Sequence, residues 1–111
     1  MDDLIAFLQA RLDDDAEVVR HARDISDVAR RGGYAMVMAA SDAAFVVHFN
    51  RNRELAEIEA KRGQIAHYGR VASRAEQHPD YELAVGACKV ALRHMSLAYA
   101  DHPDYRQEWT P

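Results

Sequence analysis

One cysteine, three prolines and five glycines punctuate 111 residues, and no apolar run approaches the roughly 20 residues that a membrane-crossing helix needs. Each scarcity excludes something. Cys88, alone, cannot close an internal disulfide. The opening MDDLIAFLQARLDDD carries acids where a secretion signal carries a basic and then an apolar segment, so the expected compartment is the cytoplasm, away from any membrane. No glycine-rich phosphate loop is present, and Ser26, Ser41, Ser73 and Ser96 all lie outside a nucleophile-elbow context. Catalysis and a bound cofactor are therefore not expected.

What is present is an ordinary globular composition, 49% hydrophobic and 29% charged, in a length that suits one core. A single domain over residues 1–111 is expected. The net charge of −4 argues against indiscriminate nucleic-acid binding, but it is unevenly spread. Residues 1–31 hold eight acids and five bases, residues 32–47 add only Asp42, residues 48–74 hold six bases and three acids, and residues 75–111 hold six acids and three bases. The basic middle reads as a helix packed between two acidic neighbours. Its alternative is a nucleic-acid surface built from Arg51, Arg53, Lys61, Arg62, Arg70 and Arg74, although no interleaved aromatics offer bases a stacking platform.

Periodicity predicts helices. Ile5, Leu8, Leu12, Val19, Ala22 and Ala29 recur at three-and-four spacing, and Gly32 and Gly33 supply a stop. The acids Asp13, Asp14 and Asp15 interrupt that stripe, and Asp14 with Glu17 has the spacing of a capping box that restarts a helix. Residues 34–50 hold two short apolar runs that could form a hairpin. Their lack of turn residues and their Ala and Met content place them as helix instead, continuing through Leu55, Ile58, Ile65 and Tyr68, with Asn50 as a candidate cap for a fresh start.

The tetrapeptide HPDY occurs twice, at residues 78–81 and 102–105. The first copy reads as a helix start, since Pro79 suits a first helical position and Asp80 and Glu82 suit the positive end of the dipole. Tyr81, Ala84, Cys88, Ala91, Met95 and Ala98 then form the predicted core stripe, widened by Val85, Leu92 and Tyr99, which makes Cys88 a small buried hydrophobe. The second copy is followed by RQEWTP and opens a turn or two at most. Tyr105 and Trp109, four apart, form an aromatic pair that packs onto the domain; the other reading makes Tyr99, Tyr105 and Trp109 an exposed surface for docking a partner.

Three stretches carry a resemblance: the opening MDDLIAFLQARLDDD, EIEAKRGQI at residues 57–65, and ALRHMSLAYADHPDYRQEW at residues 91–109. Together they resemble an uncharacterised actinobacterial and actinophage family, a domain of unknown function with a C-terminal YADHPDYxxEW motif. The resemblance implies an actinobacterial or phage origin and no activity. Many relatives carry extra cysteines between the EAKR segment and the C-terminal motif, which implies a small metal-binding insertion. This chain keeps only Cys88 there, so the implied zinc role does not carry over.

Six histidines invite a metal reading of their own. Glu17, His21 and Asp24 fall on one helix edge, but the Glu-x-x-His pairs of di-iron bundles are absent and such spacings are common on charged helices without metal. His78 and His102 precede prolines, where a turn role is simpler. The resulting expectation is an all-α, irregular bundle of three main helices plus a short C-terminal helical turn. Its expected role is that of a small intracellular accessory or regulatory protein acting on a protein partner or on itself as a homodimer.

Overall fold

The computed structural model describes the backbone of residues 1–32 and 51–111, and the side chains of residues 1–21 and 51–111. Those residues form an all-α fold: α1 over Asp2–Gly32, α2 over Arg51–Ala75 and α3 over Glu82–Ser96. Three 3-10 turns follow the same chain, at Pro79–Tyr81, Leu97–Tyr99 and Gln107–Trp109, and no strand occurs among the described residues. The choice between helix and hairpin for residues 34–50, the capping role of Asn50 and the side chain of Asp24 lie outside the described residues.

α1 begins with Asp2 and Asp3 in its first turn, where unpaired amides favour negative charge. Leu4, Leu8, Leu12 and Ala16, each four residues from the last, form its buried line, with Phe7 and Val19 beside them. The predicted stripe was thus one edge of the true one, and Ile5 is only half-buried. The helix also runs straight through Asp13–Asp15, with no restart at Asp14. Aspartate costs well under ~1 kcal/mol relative to alanine inside a helix, and each of the three has a partner. Asp13 Oδ1 accepts from Arg62 Nη2 at 2.8 Å, Asp14 pairs with Arg11 at 3.0 Å, and Asp15 Oδ2 accepts from Tyr99 Oη at 2.6 Å.

α2 returns antiparallel to α1: Arg62 meets Asp13, and the Tyr68 phenol feels the charge of Asp2. Its buried residues are Ile58, Ile65 and Val71, as three-and-four spacing with Leu55 and Tyr68 requires. After α2, the backbone amides of Gln77 and His78 both donate to Arg74 O, at 3.1 and 3.0 Å, and Pro79 opens the 3-10 turn that leads into α3. The first HPDY copy is therefore a helix entry, and Pro79 occupies a position whose amide would have had no partner.

α3 buries Val85, Leu92 and Ser96. This differs from the predicted stripe: Ala84, Ala91 and Ala98 are exposed, and Cys88 is half-buried. Alanine gains little from burial on either face, so the alanines do not fix the rotation of the helix; the packing of Val85 and Leu92 does. Ser96 is fully buried because its hydroxyl donates back to Arg93 O at 2.7 Å and so enters the core with its proton satisfied.

Candidate interaction surfaces

The C-terminal segment lies along the first half of α1 in a simple register. On the helix, Asp3, Phe7, Arg11 and Asp15 stand four apart and share one row. On the tail, Arg106 donates to Asp3 at 2.9 Å, Tyr105 sets its ring 6.2 Å from Phe7, Arg11 donates to His102 Nε2, and Tyr99 donates to Asp15. The first two turns of this row each match three tail residues, from Tyr99 to His102 to Tyr105, and the last matches the single step to Arg106. The second HPDY copy makes this register possible, because Tyr105 N donates to His102 O at 2.9 Å and Asp104 N donates to His102 Nδ1 at 3.1 Å, closing a tight turn over α1.

Phe7 is the centre of the contact. Its ring lies 5.0 Å from Trp109, 5.6 Å from His102 and 6.2 Å from Tyr99, with the Arg11 guanidinium 5.3 Å from its centroid. Tyr105 and Trp109 meet edge to face at 5.7 Å, the anticipated pair, and Trp109 is 7% exposed. The two terminal stretches singled out in the sequence are thus each other's packing partner, and Tyr99, Tyr105 and Trp109 cover core.

Burial, then the hydrogen bond to Asp15 and its charge, push the Tyr99 phenol above its ordinary value of 10.0, and burial first does the same for Tyr68. A raised folded-state value means that the unfolded chain gives up its proton first, so stability is fully present below pH 10 and declines as pH rises beyond it. Tyr99→Phe is expected to cost about 1 kcal/mol at neutral pH, the worth of one half-exposed bond to a carboxylate. It should also flatten part of the alkaline decline. Urea titrations at pH 8 and about pH 11 check both.

Among the basic residues of α2, Arg70 and Arg74 stand one helical turn apart and are both exposed. Helical geometry places Arg51 and Arg62 on one side and Arg53 and Lys61 on others. Arg62 is tied to Glu59 at 2.5 Å as well as to Asp13, Arg53 lies 3.5 Å from Glu57, Arg74 donates to Tyr81 Oη at 3.4 Å, and Lys61 is half-buried. Arg70 is exposed. Of the proposed metal edge, Glu17 is paired with Arg20 and His21 is exposed; no cluster of three metal-ligating side chains occurs among the described residues.

Two features remain on α3. Between α2 and α3 runs a half-open groove of about 390 Å³, with Ala60, Gly63, Gln64 and His67 facing Cys88, Ala91 and Leu92. Its lining holds one thiol and one imidazole and no carboxylate. On the outward side, Leu83, Val90 and Leu97 are 88%, 50% and 44% exposed. They lie seven apart, so they form one ridge, diametrically opposite buried Leu92. Sequence reading passed over this ridge because α3 is apolar on two faces. The heptad spacing marks the row but not its exposure.

No helix among the described residues is long and apolar enough to cross a membrane. The model of a family of unknown function, DUF6221, matches residues 1–111. No curated protein and no solved structure matches the chain.

Proposed function

The chain belongs to DUF6221, and from its surfaces we propose that it is a small cytoplasmic accessory or regulatory protein that acts by protein–protein interaction, through the outward face of α3. The observation that carries this reading is the ridge of Leu83, Val90 and Leu97, three large apolar side chains held in water by α3, whose other face already fills the core, and by the 3-10 turn that continues it. Scattered exposed apolar residues need no explanation, but a ridge aligned along one helix is how helices recognise one another. The lone cysteine fits a reducing compartment. An actinobacterial or actinophage origin, with YADHPDYxxEW as a shared terminal motif, gives the setting in which a host-directed partner would be found. In this reading the motif serves the fold, by sealing Phe7, and the binding face lies elsewhere.

The test is capture of a protein partner from an actinobacterial lysate by the immobilised chain, with Leu83→Glu as the comparison. Leu83 is 88% exposed, so the variant should melt as the parent does. A partner held by the parent and at least tenfold depleted on the variant supports the reading. Equal retention by both would remove α3 from it.

A further inference from the structure

Resting on that reading of α3, we propose that the occupant of the ridge is a second copy of this chain, docked by antiparallel pairing of the two α3 helices about a two-fold axis. The face that would pair is more than three apolar side chains. Helical geometry puts Gly86, Ala87 and His94 on the same side as Leu83, Val90 and Leu97, and all six are exposed. A β-carbon added to Gly86 would meet nothing within 4 Å, so nothing in the chain's own described packing calls for glycine there. Glycine in a helix interior costs about 1 kcal/mol relative to alanine. Beside Ala87, at the middle of the face, it lets another helix backbone approach closely.

Charge selects the occupant and its direction. The N-terminal end of the face is flanked by Asp80 and Glu82, and the C-terminal end by Arg93. All three are exposed, and none makes an ion pair with another described residue. His94 Nδ1 is engaged with Val90 O at 3.0 Å, which leaves Nε2 on the outward edge. A two-fold axis turns one helix against its copy, so the acidic end of each α3 meets the basic end of the other. Parallel pairing would instead stack acid on acid. A face with apolar centre, small residues at the crossing and opposite charges at its ends is complementary to itself without any further assumption.

The expected dimer is weak. α3 is 15 residues long, about 22 Å at 1.5 Å per residue. Such a contact falls at the small end of specific interfaces, where dissociation constants lie on the order of micromolar.

Sedimentation equilibrium of the full chain from about 1 to 500 µM, a range that brackets such a constant, should show the mass rising toward twice the monomer. Val90→Glu and Leu83→Glu should each hold the chain monomeric throughout, with helicity and melting unchanged because both side chains already face water. Arg93→Glu should weaken association about fivefold to tenfold by setting acid against acid at both ends of the pair, and adding Glu82→Arg should restore it. A chain that is monomeric at every concentration overturns the proposal, and so does a dimer that survives Val90→Glu or is indifferent to the charge reversals. If the parent is monomeric yet Leu83→Glu still depletes a captured protein, self-pairing fails and the interaction reading stands. If the substitutions alter neither mass nor capture, both fail.

Discussion

Phe7→Ala is expected to lower stability by about 3–5 kcal/mol, the usual cost of removing a buried aromatic ring from a core that cannot close over the space. Closing over is difficult here. The ring is 7% exposed, and Tyr99, His102, Tyr105 and Trp109 surround it on a tail whose position is fixed independently by the Arg106–Asp3 and Tyr99–Asp15 contacts. Domains of this size hold about 5–15 kcal/mol in total, so the loss is a large fraction of the whole. Trp109→Ala should cost a similar amount, since the indole is equally buried, stands 5.0 Å from Phe7 and carries the Arg106 guanidinium 5.5 Å from its centre. The double variant should be less destabilised than the sum of the two by about 1 kcal/mol or more, because each single change already removes the shared contact. Thermal melts of the four chains measure it, with about 4–8 °C expected per kcal/mol. Additive losses would mean that the tail does not rest on Phe7.

Leu92→Ala is the second large effect, expected to cost about 2–5 kcal/mol. Leu92 is 1% exposed and holds α3 to the common core, while one edge of it borders the groove shared with Gly63 and Cys88. The contrast with Val90, two residues earlier, is the informative part. Val90→Ala should change stability by less than about 0.5 kcal/mol, as expected for a surface position. Chemical denaturation of the two variants therefore reports which face of α3 is the core, and equal effects would contradict the rotation described above.

That rotation marks the limit of what spacing alone could reveal. The proline entry at Pro79 and the pairing of Tyr105 with Trp109 were both legible, because each depends on residues a few positions apart. In α3 the pattern admitted two faces. Val85 and Leu92 point one way, Leu83 and Val90 the other, and the alanines between them fit either. Only the packing against α1 and α2 decides, and those contacts join residues far apart in sequence. For Asp13 and Asp15 of α1 the reason is the same, since their partners Arg62 and Tyr99 lie 49 and 84 residues away, while Asp14 pairs locally with Arg11. Of the candidate residues, the aromatic tail was placed correctly against the core as one of two readings, while the α3 ridge was not singled out. A heptad of exposed residues looks identical to a heptad of buried ones until the neighbours are known.

The seam between α1 and the tail joins residues 84 to 103 positions apart, and this has a consequence for how the molecule is made. At about 5–20 residues per second, the first helix leaves the ribosome about 5–20 s before the segment that must lie on it. During that interval the nascent chain carries Phe7 bare. The ring stack can close only once residues 99–109 have followed all three helices out of the ribosome, and a ribosome that stalls before them would leave that flank of α1 open to water and to chaperones.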